Sequence, residues 1–263
     1  EIYTGIQVKE LLIEKGEIKG IKAEPLGSPD GKPESSGEHF ACRAVVLAAG
    51  GASYPKTGSS GDGYQLAGAA GHTIIPVRPH LVPLLTKEEI APRLAGLSLR
   101  NVSAKVLIKG KVQKEEFGEM LFTHTGISGP IVLTLSGFVV DALTQNQEIT
   151  ISLDLKPALE EKKLEARLLR ELHASGKQQF KNILKNLLPT ALIPVCIQQT
   201  QIPAKKPGNQ LKTEERRRLL TWLKDFQIPI TGHGTLEEAI ISAGGVSLKE
   251  VNPKTLASRL IQG

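Results

Sequence analysis

Aromatic residues are scarce in this chain: ten in 263 residues, with Trp222 the single tryptophan. Single-stranded nucleic acid is gripped by stacking bases on aromatic rings, so a broad base-stacking surface is excluded. Cysteine is scarcer still. Cys42 and Cys196 stand far apart, and two such residues build neither a disulfide framework nor a zinc site. A reducing, cytoplasmic compartment is therefore the expectation. There is also no apolar run of membrane-spanning length and no secretory-signal pattern. The chain begins at Glu1 rather than Met and stops after Leu260-Ile261-Gln262-Gly263, which reads as a segment cut from a longer polypeptide.

What is present is ordinary for a globular protein: 40% hydrophobic and 23% charged residues. The length suits one large domain or two to three small ones. The formal net charge is +6 and the pI near 9.2. A basic balance fits phosphate-bearing partners. Most lysines and arginines, however, are interspersed with acids. Only Lys205-Lys206 and Arg216-Arg217-Arg218 cluster, and a solvated helix face accounts for such a run as readily as a nucleic-acid patch.

The chain is organised around residues 44–71, AVVLAAGGASYPKTGSSGDGYQLAGAAG. The apolar run over 44–49 is short and valine-rich, which predicts a strand buried on both faces. Gly50 and Gly51 end it. A Gly/Ser loop follows, then a helix from Gly61 with Tyr64, Ala67 and Ala70 on one face, and Gly71 at its left-handed C-cap. Strand, glycine-rich loop and helix together bring backbone N–H groups close to an anionic ligand.

Before this stretch, residues 6–13 and 18–23 predict a hairpin turning at Gly16. A polar loop over 26–38 and a return strand over 39–43 follow. After it, three prolines between residues 76 and 83 enforce extended chain and suggest a domain crossing. Alternating strands are predicted over 97–108, 112–117, 119–123 and 149–155, the mark of a small barrel or sandwich. In the last of these Ile149, Ile151, Leu153 and Leu155 point inward, and Thr150, Ser152 and Asp154 outward. A helix after Ser128 as N-cap and Pro130 buries Ile131, Leu135, Phe138 and Val139. Residues 156–226 read as helical. Phe180, Ile183, Leu184, Leu187 and Leu188 form one stripe, residues 189–199 a weaker third helix, and Thr213 caps a last one. Residues 226–230 and 240–246 return as strands, with a capping-box pattern over 235–238 between them.

Several catalytic signatures fail. No Lys-Ser/Thr pair follows the last loop glycine, so the loop is not a P-loop. Gly61 and Gly63 begin a G-x-G-x-x-G pattern, but position 66 is Leu. An irregular connection needing positive φ remains an open alternative to cofactor contact. His72, His80, His124 and His233 have no metal-ligand spacing. Gly126-Ile127-Ser128-Gly129 places its second glycine one residue too early for a nucleophile elbow. The acid pairs at 88–89, 115–116, 160–161 and 214–215 read as solvated.

Three segments taken together carry a resemblance: VVLAAGGASYPKTGSSGDGYQLAGAAGHTIIPVRPHLVPL, GEMLFTHTGISGPIVL and TLEEAIISAGGVSLKEVNPKTLASRLIQG. The chain resembles the YhiN/BaiN-like FAD-dependent flavoproteins, which include aminoacetone oxidases. The resemblance is collinear and spans nearly the whole chain. It implies an α/β (α+β) fold: a partial FAD/NAD(P)-binding Rossmann-like domain (1–78 and 230–263) interrupted by a β-barrel (79–155) and a helical insertion returning to the barrel (156–229). It implies that a G-x-G-x-x-G unit precedes Glu1 and a second flavin segment follows Gly263. The Rossmann-like remnant, short of strands, is then expected to rearrange or remain disordered, while barrel and helices fold well.

By the same resemblance the cofactor-binding residues are Val8 on the adenine side, Ala49, Gly50 and Gly51 at the strand end, and Ala52, Tyr54 and Gly61 in the loop beside the isoalloxazine. Residues 125–130 face the flavin from the barrel. The implied function is that of a FAD-dependent oxidoreductase acting on a small organic substrate, with hydride transfer to or from the flavin and NAD(P)H as a candidate electron donor. FAD binding to this chain alone is expected to be weak and the chain alone inactive. Tyr54 and His124 are the candidate polar contributors; no catalytic acid or base follows from the sequence. The competing reading is a non-enzymatic binding module with a basic surface for nucleic acid or protein, in which salt-dependent DNA binding would be the diagnostic.

Overall fold

The computed structural model describes residues 1–26, 37–87 and 90–263. Most of the polar loop predicted over 26–38 and the acid pair at 88–89 lie outside the described residues. The chain forms two compact units, Glu1–Pro79 with Ala239–Gly263, and His80–Glu238.

In the first unit, β1 (Ile6–Glu14) and β2 (Glu17–Pro25) pair antiparallel, and β3 (Glu38–Ala41) pairs with β2. Lys15 and Gly16 both have positive φ, 49° and 81°. A two-residue turn of that kind matches the twist of the strands it joins. Helix α1 (Asp62–Ala69) ends where the sequence predicts. The Gly71 N–H donates to the Gly68 carbonyl and the His72 N–H to the Ala67 carbonyl, with Gly71 at φ 94°. This is the paired C-terminal bond pattern that a glycine at that place permits. Strand β4 (Ile74–His80) pairs with β11 (Ile241–Val246).

The run over 44–49 is not a strand. It is extended, forms no ladder and is largely exposed, Val46 at 89%. A doubly buried strand needs neighbours on both edges and both faces. Here, among the described residues, only the Val45 N–H finds a backbone partner, the Gly263 carbonyl at 2.8 Å, and α1 lies along one side. No central parallel sheet forms among the described residues. The unit instead holds a three-stranded and a two-stranded sheet.

The second unit is a closed barrel. Its strands are β5 (Leu84–Thr86), β6 (Ser98–Ile108), β7 (Lys111–Phe122), β8 (Gly126–Ser128), β9 (Ile149–Asp154) and β10 (Phe226–His233), in the order β10-β5-β8-β7-β6-β9. The strands predicted over 112–117 and 119–123 are one strand, because β6 pairs across Gly118 and holds both halves in register. Ile230 lies within β10, opposite Ile149 and Thr86.

Short helix α2 (Ala91–Leu94) precedes β6. Helix α3 (Pro130–Thr144) packs on β7 and also meets β6, β8, β9 and β10. It starts at Gly129, φ 96°, rather than at Ser128, which is spent in β8. A side chain at Gly129 would strike the Met120 backbone at 2.8 Å. Phe138 is 38% exposed, not buried; Val132, Val140 and Gly137 take its place on the inner face.

Helices α4 (Glu161–Ala174), α5 (Phe180–Ile183), α6 (Leu192–Thr200) and α7 (Thr213–Lys224) form the insertion. The stripe from Phe180 to Leu188 is buried, but α5 stops after one turn and tightens into a 3-10 turn over Leu184–Asn186. Helix α7 begins one residue earlier than Thr213 as cap implies, with Lys212 at the N-cap.

The outward face of β9 is not solvent-facing. Asp154 pairs with Lys224, and Ser152 Oγ donates to Asp225 Oδ1 at 2.5 Å. Both acceptors and donors at this seam are matched because α7 and the residue after it lie over β9. Glu215 is likewise buried, accepting from Lys206 Nζ at 2.8 Å and from the Lys212 N–H at 2.7 Å. Burial pushes the Glu215 carboxyl up, but the Lys206 hydrogen bond and the Lys212 N–H pull it further, leaving it below the usual carboxylate range.

Candidate functional site

The residues singled out by the sequence gather in the first unit around the start of α1. Gly50 takes φ 74° and Gly61, the N-cap of α1, φ 87°. The Gly61 N–H donates to the Gly51 carbonyl at 3.2 Å, which closes the loop between them. Gly63 sits where a Cβ would press on Ala49 at 3.3 Å, so α1 can lie against residues 47–49. Val8 lies in β1 opposite Ala23.

Two glycines are explained by packing within the chain. A Cβ on Gly51 would come 2.5 Å from Ser242 Oγ, and one on Gly245 would come 2.6 Å from the Tyr64 ring. Ser242 accepts from the Ala52 N–H at 3.3 Å and shares a hydrogen bond with Tyr64 Oη at 3.4 Å. Strand β11 thus anchors the loop through one serine. In the sequence, the double glycine at 244–245 is the signal that marks the Ser242 segment.

Three features are not explained by packing. Val46 to Gly50 have no backbone hydrogen bonds to other described residues and are exposed. Ser53 Oγ is buried without a partner. A buried hydroxyl left unpaired is costly, which points to a missing donor or acceptor. Tyr54 adopts φ 52° with its side chain 48% exposed. That backbone region is unfavourable for a bulky residue. It is held by Thr57, whose N–H and hydroxyl both donate to the Tyr54 carbonyl, at 2.8 and 2.7 Å.

These features fit the edge of a neutral, hydrogen-bonding ring system better than a phosphate. Asp62 occupies the first turn of α1, its carboxylate accepting from Gln7 Nε2 at 2.8 Å. A carboxylate there already answers the positive end of the helix and repels a second anion. His124 and Thr125 lie exposed in the β7–β8 connection, while Gly126 and Ile127 are buried in the barrel. A side chain at Gly126 would overlap the Leu84 carbonyl.

A second polar line joins residues far apart in the sequence. Ser258, His72 and Glu250 stand in series: Ser258 Oγ to His72 Nε2 at 3.0 Å, His72 Nδ1 to Glu250 Oε2 at 3.2 Å. The order imitates a nucleophilic triad. Ser258 Oγ, however, accepts from the Leu260 and Ile261 N–H groups at 3.0 and 2.9 Å. Both lone pairs are engaged, and none is left to attack a substrate. Glu250 also accepts from the Thr73 N–H and hydroxyl, at 2.8 and 2.7 Å. The line is a staple joining the end of α1 to residues 250–261. Cys196 is no nucleophile either, since burial pushes its thiol up to about 12.

A closed six-stranded barrel carrying a four-helix insertion, and a separate unit with a glycine-rich loop against a helix, define a modular α+β protein. Residues 78–241 match the family model described as "HI0933-like protein barrel and H2TH domain". The chain belongs to this HI0933-like family, the flavoprotein group that its three motif segments resemble. It is 32% identical over its whole length to the 3-dehydro-bile acid delta(4,6)-reductase of Clostridium scindens, covering 61% of that protein. It is 31% identical to the ribosomal RNA dihydrouridine synthases of Haemophilus influenzae and Escherichia coli. Those matches cover 84% and 87% of the chain and 52% and 54% of the relatives. The chain therefore spans a little over half the length of the curated relatives it matches.

Proposed function

We propose that this chain supplies one wall of the flavin site of a FAD-dependent reductase, acting on a carbon–carbon double bond conjugated to a carbonyl. A delta(4,6)-reductase and a dihydrouridine synthase are both named for adding hydrogen across such a bond. The carrying observation is the unpaired backbone of Val46 to Gly50 beside the orphaned Ser53 hydroxyl.

FAD, when bound, supplies the hydride chemistry. The chain's own part is to hold and orient. Backbone groups of Ala49 and Gly50, the Ala52 carbonyl and Ser53 Oγ would hold the ring by hydrogen bonds. Gly61 and Gly63 let α1 back that edge closely. The Tyr54 phenol, exposed at the loop tip, is the proton donor for the carbon that does not receive hydride. His124 has no hydrogen bond among the described residues to position it, and Tyr54 is the stronger candidate.

The phosphate end of the cofactor finds no seat among these residues, because α1 begins with Asp62 and the loop lacks the third glycine of a dinucleotide turn. FAD binding by this chain alone is therefore weak. Titration by flavin fluorescence tests it: a dissociation constant tighter than micromolar, on the order of −8 kcal/mol, overturns the weak-binding reading. The function is tested in the protein that contains this chain, by reduction with NADH or NADPH and reoxidation by an enone or by uridine-containing RNA. Flavin absorbance bleached by the pyridine nucleotide and restored by the unsaturated acceptor supports it. A preparation without flavin colour, or reoxidised by oxygen alone, overturns it.

A further inference from the structure

The positive charge of this chain is concentrated in one place. Residues 156–225 hold fifteen Lys and Arg against seven Asp and Glu, a net of +8. All other residues together hold eighteen against twenty, a net of −2. Of the fifteen, only Lys206 and Lys224 have a carboxylate of the described residues within ion-pair distance, Glu215 and Asp154. The acids do little to neutralise the rest. Glu215 and Asp225 are turned to partners inside the insertion and the barrel seam, and Glu171 accepts from Asn186.

The fold then aligns part of this charge. Lys163, Arg167 and Arg170 fall on one face of α4, at i, i+4 and i+7, opposite the buried Leu164, Leu168 and Leu172. Helix α4 ends at Ala174, where the chain turns. There the chain over 176–181 lies alongside 204–209. The Phe180 N–H donates to the Lys206 carbonyl, Lys181 N–H to Ala204, Gly208 N–H to Gln178 and Asn209 N–H to Gly176, at 2.8 to 3.0 Å. This pairing brings exposed Lys177, Lys181 and Lys205 onto neighbouring strands of chain. Beside them an open cleft of about 630 Å³ is lined by residues 173–178 and Asn209, with donors from His173, Ser175, Lys177, Gln178 and Asn209.

We infer that this face of the helical insertion binds the phosphate backbone of RNA. Net positive charge without paired acids attracts polyanions. The absence of exposed aromatic rings from the face excludes stacking, so the contacts are to phosphate and ribose and carry little sequence preference. Six basic residues, three along α4 and three on the paired segments after it, suit a chain of successive phosphates more than a single small anion. This inference does not depend on the flavin reading, since it is measured without FAD.

The test is fluorescence anisotropy of the whole chain with a labelled, unstructured single-stranded RNA, from about 50 to about 200 mM salt. Affinity is expected to fall steeply with salt. The triple variant K177A/K181A/K205A should lower the slope of log affinity against log salt by about 2, at about 0.7 per phosphate contact removed. These side chains are exposed, so folding is preserved and is checked by Trp222 fluorescence. A control triple in the barrel, R100A/K111A/K114A, should leave the slope unchanged. No salt-dependent RNA binding, an equal loss in both triples, or tighter binding of a polyglutamate peptide than of RNA would each overturn the assignment.

Discussion

Single residues decide how the glycine-rich loop is seated. Gly245 sits at φ 93° and its missing Cβ is replaced by the Tyr64 ring. Gly245→Ala meets both the backbone penalty and the ring, so the protein should lose about 1–3 kcal/mol, seen as a lower urea midpoint with unchanged slope. Gly58→Ala shares a positive φ, 101°, but has nothing within 4 Å. It should cost only the backbone part, about 1 kcal/mol. Equal losses in the two variants would show that the Tyr64 contact contributes nothing. Tyr54→Phe keeps the ring and its αL backbone and removes only the hydroxyl. If the phenol donates the proton, this change slows reoxidation by the unsaturated substrate by about 10²- to 10⁴-fold and leaves reduction by NAD(P)H untouched. Unchanged reoxidation would remove Tyr54 from the mechanism.

Elements are tied together by a few charged groups, and these set the pH response. The Glu250 carboxyl is held below its ordinary value of 4.5, first by the Thr73 hydroxyl and N–H, then by His72. A depressed carboxyl pKa stabilises the fold above the unfolded value, and that stability is lost as pH falls through the folded value. Glu250→Gln should therefore be less stable than the parent at neutral pH, and the gap should close as pH drops below about 4.5. A gap independent of pH would show that the staple works by packing alone. The same sign holds for Glu215, which links the 204–209 segment to α7. Glu215→Ala strands Lys206, 19% exposed, and the Lys212 N–H. Its expected cost at pH 7 is about 2–4 kcal/mol, since removing one partner of a poorly hydrated pair leaves the other uncompensated.

At the scale of the whole molecule the two units differ in how much apolar surface they bury. The large hydrophobic cluster lies wholly between Leu84 and Ile230. Outside His80–Glu238 the buried apolar residues are few: Ile18, Ala23, Leu66, Ala67 and Ala239. Each fully buried large aliphatic side chain contributes about 1.5–3 kcal/mol, so the barrel and insertion should outlast the first unit. The chromophores separate the two. Tyr3, Tyr54 and Tyr64 all lie in the first unit, and Trp222 lies in the second. In urea, tyrosine difference absorbance should change at lower denaturant than Trp222 fluorescence. Coincident transitions would show that the units unfold as one.

The sequence alone determined the features that rest on short-range chemistry. The β1–β2 turn, the C-terminal end of α1, the alternating barrel strands and the buried stripe from Phe180 to Leu188 follow from positive-φ glycines and from periods of two and 3.6. So did family membership, carried by long collinear motifs. Only the tertiary structure decided what depends on neighbours. An apolar run such as residues 44–49 becomes a buried strand only when other strands flank it, and here it lies open. Ser152, Asp154 and Glu215 look solvated in a linear reading and are buried and paired, because α7 folds back over β9 and the 204–209 segment meets α7. The clustering of charge at Lys177, Lys181 and Lys205 arises the same way: residues about 25 positions apart are placed side by side by backbone pairing that no local pattern announces.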